Sequence, residues 1–254
     1  MADRRLLVAG NWKMHATVEQ ATALSTELLA RSLPEEVEVA LFPPFTALWP
    51  VHLKVQGSAL RLGAQNCHWE QAGAFTGEVS VEMLAPWCDY VLVGHSERRQ
   101  YFGESDLDVE RKSRAASAAG LTPVVCVGEQ LREHRDGRAM EVVSAQIQGG
   151  LGWLQGREAI DLVVAYEPCW AIGTNLAAEQ THVGKVFGGL RELLLGIGGR
   201  VLAERTRILY GGSVRASNVA DFVALEGCDG CLVGGASLDV EEFSQLVRRC
   251  AKEA

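Results

Sequence analysis

A carboxylate, an imidazole and an ammonium group can together move a proton and steady the charge it leaves behind. This chain offers one of each directly after short aliphatic runs. Asn11 and Lys13 follow the run at 6–9, Gly94-His95-Ser96-Glu97 follows 90–93, and Glu167 follows 162–166. Gly211-Gly212-Ser213 and Gly234-Gly235 come after two further runs, 208–210 and 231–233. Glycine turns let backbone N–H groups approach an anion because no Cβ intervenes, and a helix start beyond them adds a favourable field. Ser213 would add a hydroxyl and Lys13 the one full positive charge. Singly, each residue has a plainer reading: Lys13 as a solvated side chain, His95 as a helix cap, Glu167 as a surface carboxylate and the glycine pairs as turns. Their shared position after strand-like runs is what points to a phosphate grip facing a base and an imidazole.

Something must bring those turns together. Eight aliphatic or β-branched runs recur, at 6–9, 37–42, 60–64, 90–93, 124–127, 162–166, 208–210 and 231–233. Several, such as Leu162-Val163-Val164-Ala165-Tyr166, lack alternation, which suits parallel strands covered on both faces. Helix signals separate them. Thr17-Val18-Glu19-Gln20 is a capping-box pattern leading to Leu24 and Leu28, and Ser105-Asp106-Leu107-Asp108 opens an alanine-rich stretch that Gly120 closes. Val219, Phe222 and Val223 share a helical face, as do Phe243, Leu246, Val247 and Cys250. Eight strand–helix units in 254 residues predict an α/β fold, a (β/α)8 barrel forming one domain over 1–254. A doubly wound open sheet would require a glycine-rich fingerprint after the first strand; Gly10-Asn11-Trp12-Lys13 stands there, and no G-x-G-x-x-G or Walker motif occurs.

With 24 Lys+Arg against 32 Asp+Glu, the net charge of −8 argues against nucleic-acid or anionic-membrane partners. No apolar run approaches the roughly 18 residues of a membrane span. The opening run at 6–9 is too short for the core of a secretory signal, so a cytoplasmic setting is expected. The 7 cysteines imply no disulfide framework. Cys228-Asp229-Gly230-Cys231 lacks the second ligand pair a zinc site would need and reads as small residues entering a buried strand. No His/Asp/Glu cluster has metal-ligand spacing.

The stretches Ala9-Gly10-Asn11-Trp12-Lys13-Met14, Val93-Gly94-His95-Ser96-Glu97-Arg98-Arg99, Tyr166-Glu167-Pro168-Cys169-Trp170-Ala171-Ile172-Gly173-Thr174, Tyr210-Gly211-Gly212-Ser213-Val214 and Leu232-Val233-Gly234-Gly235-Ala236-Ser237 strongly resemble the triosephosphate isomerase family. Gly63-Ala64-Gln65-Asn66 and Gly73-Ala74-Phe75-Thr76-Gly77-Glu78 match its dimer-forming loop, and the likeness runs in order over essentially the whole chain. The resemblance implies interconversion of dihydroxyacetone phosphate and D-glyceraldehyde 3-phosphate, a step of glycolysis and gluconeogenesis, without metal or cofactor. Glu167 would be the base and His95 the neutral proton donor; this family is itself the usual illustration of that tuning. Asn11 and Lys13 would stabilise the enediolate, with Glu97 near Lys13. Substrate phosphate would fall to Lys13, Ser213, Gly234, Gly235 and the Gly173 amide, and the segment from Pro168 to about Leu176 would be a lid. The chain departs from the family at the far hinge, Asn175-Leu176-Ala177, at the missing Thr-Pro pair before Glu179-Gln180, and at Cys169. By the same likeness the loop 66–78 would insert into a second copy, giving a homodimer with Thr76 near the neighbouring site. Two other readings remain: a phosphate-handling synthase or aldolase barrel, which would need a Schiff-base lysine or metal ligands, and a non-catalytic phosphate-binding barrel, which would leave Glu167 and His95 without a role.

Overall fold

The aliphatic runs become eight parallel strands: β1 (Leu6–Asn11), β2 (Val37–Phe42), β3 (Leu60–Ala64), β4 (Tyr90–Val93), β5 (Thr122–Val127), β6 (Val163–Tyr166), β7 (Arg207–Tyr210) and β8 (Gly230–Val233). In this computed structural model, which describes residues 4–157, 160–172 and 178–252, each strand pairs with its sequence neighbour. β8 returns to β1 through Leu7↔Gly230 to Gly10↔Val233, so the sheet closes into a barrel. The (β/α)8 architecture expected from the sequence is the one observed.

Alternation along the strands builds two cores. Leu7, Ala9, Ala40, Phe42, Leu92, Val124, Cys126, Val163, Ala165, Leu209 and Leu232 fill the barrel interior. Their neighbours Leu6, Val8, Val39, Leu41, Val91, Val93, Val125 and Val164 join the helix faces in a larger outer core. Strands covered on both sides need not alternate polar with apolar residues, which explains the unbroken runs.

The helix signals are realised where the caps predicted them. Thr17 accepts from the Gln20 N–H while the Gln20 side chain accepts from Thr17, opening the helix Val18–Leu29. Ser105 and Asp108 do the same for Asp106–Ala118. Each such cap contributes about 1 kcal/mol. Val219, Phe222 and Val223 are buried in Val219–Val223, and Phe243, Leu246, Val247 and Cys250 are buried in Val240–Cys250. Cys228 and Cys231 are buried free thiols at β8, as the plain reading of the CxxC expected.

Candidate active site

Glu167 is the residue after β6, and its side chain is almost wholly buried. A buried carboxylate must be satisfied by donors. Its Oε2 accepts the Ser96 backbone N–H at 2.9 Å, and its Oε1 lies 3.1 Å from His95 Nε2. Burial alone would raise the carboxyl pKa; the His95 ring, the Ser96 N–H and Lys13 outweigh it and hold Glu167 below the usual carboxylate value. Two glycines make room for this arrangement. A Cβ on Gly128 would lie 1.7 Å from the Glu167 carbonyl oxygen, and one on Gly211 would lie 2.8 Å from Glu167 Cγ.

His95 is both the helix cap and the site imidazole. It precedes the helix Ser96–Phe102, and its Nδ1 accepts the Glu97 backbone N–H at 3.2 Å. Burial pushes the imidazole pKa down, but the Glu167 carboxylate facing Nε2, with Glu97 nearby, reverses the sign and raises it. Local geometry opposes a full charge. A second proton, on Nδ1, would point at the Glu97 N–H and at the positive end of the helix. The hydrogen-bond network therefore holds a ring with its proton on Nε2, donating to Glu167.

Lys13 follows β1 with φ 53°, a left-handed backbone that costs a non-glycine residue roughly 1–3 kcal/mol. Three contacts impose it. The Lys13 N–H donates to Asn11 Oδ1 at 3.0 Å, Gln65 Nε2 donates to the Lys13 carbonyl at 2.8 Å, and Lys13 Nζ donates to Glu97 Oε1 at 2.6 Å. Lys13 lines the cavity at the carboxyl end of the strands, and Glu97 lies beside it as the sequence suggested.

Asn11, Lys13, His95, Glu167, Ser213, Gly234 and Gly235 line one cavity of about 460 Å³ at the carboxyl end of the strands. Within it the backbone N–H groups of Gly212, Ser213 and Gly234 donate to no other group among the described residues. Free N–H groups from two loops, with Lys13 Cε close to Gly234, suit an anion. Glu97 does not line the cavity and acts on it through Lys13 and His95. Gly173 and the hinge Asn175-Leu176-Ala177 lie outside the described residues. The part of the lid-like segment that is described forms a 3-10 turn, Cys169–Ala171, and Ile172 reaches the cavity wall. Beyond the hinge, Glu179 precedes the helix Gln180–Arg205 without a side-chain cap bond, the consequence of having no Thr-Pro start. Cys169 donates from Sγ to the Glu167 carbonyl at 3.4 Å, and burial pushes its thiol pKa up to about 12.

Sequence reasoning missed the supports. Gln65 bridges the Lys13 and Phe42 carbonyls, and the Ser96 N–H holds Glu167. Glu104, nearly buried, accepts from the Gly94 N–H at 2.7 Å, Arg98 Nε at 2.6 Å and Lys112 Nζ at 2.9 Å, and so fixes the turn that carries His95. Gln65 and Ser96 sit inside quoted motifs, which was a usable signal; nothing in the pattern around Glu104 announces it. The structure also gathers Glu129, His134 and His182, whose ligand atoms all lie within 4.8 Å of one another although no sequence spacing suggested a cluster.

Comparison with known proteins agrees with this geometry. The family model described as triosephosphate isomerase matches residues 6–250. Proteins named triosephosphate isomerase are similar to this chain: that of Carboxydothermus hydrogenoformans is 47% identical over 248 residues, covering 96% of this chain and 98% of its own. Those of Moorella thermoacetica and Thermoanaerobacter pseudethanolicus are 47% and 43% identical, each over 245 residues and 96% of this chain, covering 98% and 99% of their own lengths. A closed eight-strand barrel, a cavity lined by Lys13 and two glycine turns beside a carboxylate–imidazole pair, and a match over nearly the full length lead to one conclusion: the chain belongs to the triosephosphate isomerase family and is an isomerase that interconverts dihydroxyacetone phosphate and D-glyceraldehyde 3-phosphate.

Proposed function

We propose that Glu167 is the base of this isomerisation, His95 its partner on the substrate oxygens, and Asn11 and Lys13 the groups that stabilise the enediolate between them. The observation that carries the assignment is the 3.1 Å contact between Glu167 Oε1 and His95 Nε2 on the wall of the anion-binding cavity. Base and donor satisfy each other in the free protein. A substrate whose carbonyl oxygen takes the Nε2–H releases the carboxylate to face the adjacent C–H. Losing that donor leaves Glu167 buried with less compensation, so its pKa rises and its basicity increases at the moment of use. The proton leaves carbon for Glu167 and returns to the neighbouring carbon, while the oxygen that gains a proton takes it from Nε2 and the other oxygen gives one back. Gly212, Ser213, Gly234 and Gly235 hold the phosphate; the family likeness adds the Gly173 amide and a water-excluding lid over 168–176, of which 173–176 lie outside the described residues.

Glu167→Asp keeps the charge and withdraws it by one methylene. It should lower kcat by about a hundredfold or more with little change in KM. Unchanged turnover would remove Glu167 from the role. Solvent deuterium should enter the substrate at carbon; a barrel that merely binds phosphate would leave that hydrogen untouched.

The same reading makes the protein a homodimer through the loop 66–78. Phe75 on that loop is 43% exposed, Met14 beside Lys13 is 94% exposed, and Tyr101 and Phe102 after the His95 turn are 69% and 70% exposed. Apolar surface of this kind around one site suits burial against a second copy. Sedimentation equilibrium should show a dimer; a fully active monomer would overturn it. No helix among the described residues is long and apolar enough to cross a membrane, which accords with a cytoplasmic place for a glycolytic step.

A further inference from the structure

We propose that Glu129, His134 and His182 form a binding site for one divalent cation of the zinc class, separate from the substrate cavity. Glu129 follows β5, His134 lies on the short helix Leu131–Arg135, and His182 lies in the first turn of Gln180–Arg205. None of the three lines the substrate cavity. Three observations converge on the site.

The first is distance. Glu129 Oε1 lies 3.5 Å from His134 Nδ1 and 3.4 Å from His182 Nε2. A tetrahedral zinc ion bound at its usual Zn–N and Zn–O lengths separates neighbouring ligand atoms by roughly 3.3 Å. Two edges of the tetrahedron therefore stand close to final length, and the third falls within the 4.8 Å spread of the group.

The second is an unmet need. His134 Nδ1 is a buried polar atom with no hydrogen-bond partner among the described residues, and it is turned toward Glu129. A buried polar atom left unpaired forfeits its hydration with nothing in return. The Glu129 side chain is fully buried, and its only ion-pair partners among the described residues are these two histidines, with no lysine or arginine. A buried carboxylate without a permanent cation lacks the charge compensation such groups require. One dication would answer both deficits.

The third is the surrounding shell. Trp170 Nε1 donates to Glu129 Oε1 at 2.8 Å, and the Tyr166 hydroxyl donates toward Oε2 at 3.1 Å. The same hydroxyl lies 3.2 Å from Oε1 and 2.9 Å from His182 Nε2, so an arriving ion would displace that His182 contact and leave the hydroxyl to orient the carboxylate from outside. His134 stacks on Trp170 with ring centroids 4.1 Å apart, which fixes the imidazole plane. The His134 and His182 side chains are 30% and 22% exposed, so an ion has a way in. Two imidazoles and one carboxylate are the donor set of zinc and its neighbours rather than of magnesium or calcium, which prefer all-oxygen shells. Solvent completes the fourth position.

The test is a titration of the full-length, chelator-treated protein with Co²⁺, followed by displacement with Zn²⁺. One equivalent should bind with visible bands of a nitrogen–oxygen site and without the near-ultraviolet band of a thiolate ligand. His134→Gln and His182→Gln, each compared with the parent on protein of matching isomerase turnover, should weaken Zn²⁺ binding at least about tenfold. Cys169→Ser should leave binding unchanged. No binding at millimolar Zn²⁺, binding that survives both histidine substitutions, or a thiolate band would each overturn the proposal. Should neither variant fold, the parent titration decides alone. Failure here leaves the assignment of Glu167 and His95 untouched, because the readout is metal binding and not turnover.

Discussion

Both ends of the barrel hold charged groups in nearly dry surroundings, yet they are wired to opposite purposes. At the amino end Asp229 Oδ1 accepts Arg4 Nε at 2.7 Å, and Oδ2 accepts Arg191 Nη2 at 3.0 Å and the Ile208 N–H at 2.8 Å. Beside it Arg207 donates to the Tyr90 hydroxyl at 2.6 Å and sits 3.4 Å from Glu38, to which Tyr90 also donates. Each of these groups ties one strand or helix to another. At the carboxyl end Lys13 pairs with Glu97 and His95 with Glu167, but Lys13, His95 and Glu167 also line an open cavity, so under the proposed mechanism a substrate takes the place of a partner. Buried charge ties strands together where its partners are fixed, and in the proposed mechanism it serves the reaction where they are exchangeable.

The comparison is broken most sharply by separating stability from rate. Asp229→Asn leaves two arginines short of their carboxylate and should cost about 3–5 kcal/mol of stability, with kcat unchanged on the folded protein; urea midpoints and turnover measured together would show it. A fall in kcat without a fall in midpoint would mean that the amino end also serves the chemistry. Lys13→Ala should do the reverse. It should lower kcat/KM by roughly 10²–10³ and weaken inhibition by inorganic phosphate, while the urea midpoint stays near that of the parent. If phosphate inhibited variant and parent equally, Lys13 would not belong to the grip.

The smallest effect concerns Glu104, whose side chain ties the His95 turn to its helices. Burial would raise its pKa, but Lys112, Arg98 and the Gly94 N–H prevail and depress it. A depressed carboxyl favours the folded state at pH above the unfolded value of about 4.3, and that advantage drains away as pH falls through the folded value. Glu104→Gln should therefore show its largest deficit in urea midpoint near neutrality and converge on the parent in acid. A deficit independent of pH would mean that packing, not charge, is what Glu104 supplies.

The strands were legible because a covered parallel strand needs an unbroken aliphatic run, and the eight runs match β1 to β8 to within two residues at each end. Glu167, His95 and Lys13 were legible because a strand end in a barrel is a fixed place, and family likeness named the rest. Glu104 and Gly128 were not, since each acts on a backbone group distant from it in sequence and leaves no periodic trace, whereas Gln65 stood in a motif whose likeness did not say that it braces Lys13. The helix Gln180–Arg205 is a similar case: Gly199 breaks it with φ 74° and ψ −173°, within a stretch whose polar and apolar residues give no hint of a boundary. Glu129 and His134 follow β5 whereas His182 lies on the helix after β6, so the three meet only in the folded barrel, and residues 129, 134 and 182 carry no common spacing.

Closure of the sheet has a price in tolerance. An open sheet can shed an extra residue at its margin, but a ring of eight strands has no margin. Inserting one residue within β6 would swap its following side chains between the inner and outer cores and rotate Glu167 away from His95. Each strand thus serves as a ruler for the residue that follows it, and an inserted residue is expected to be tolerated only in the turns.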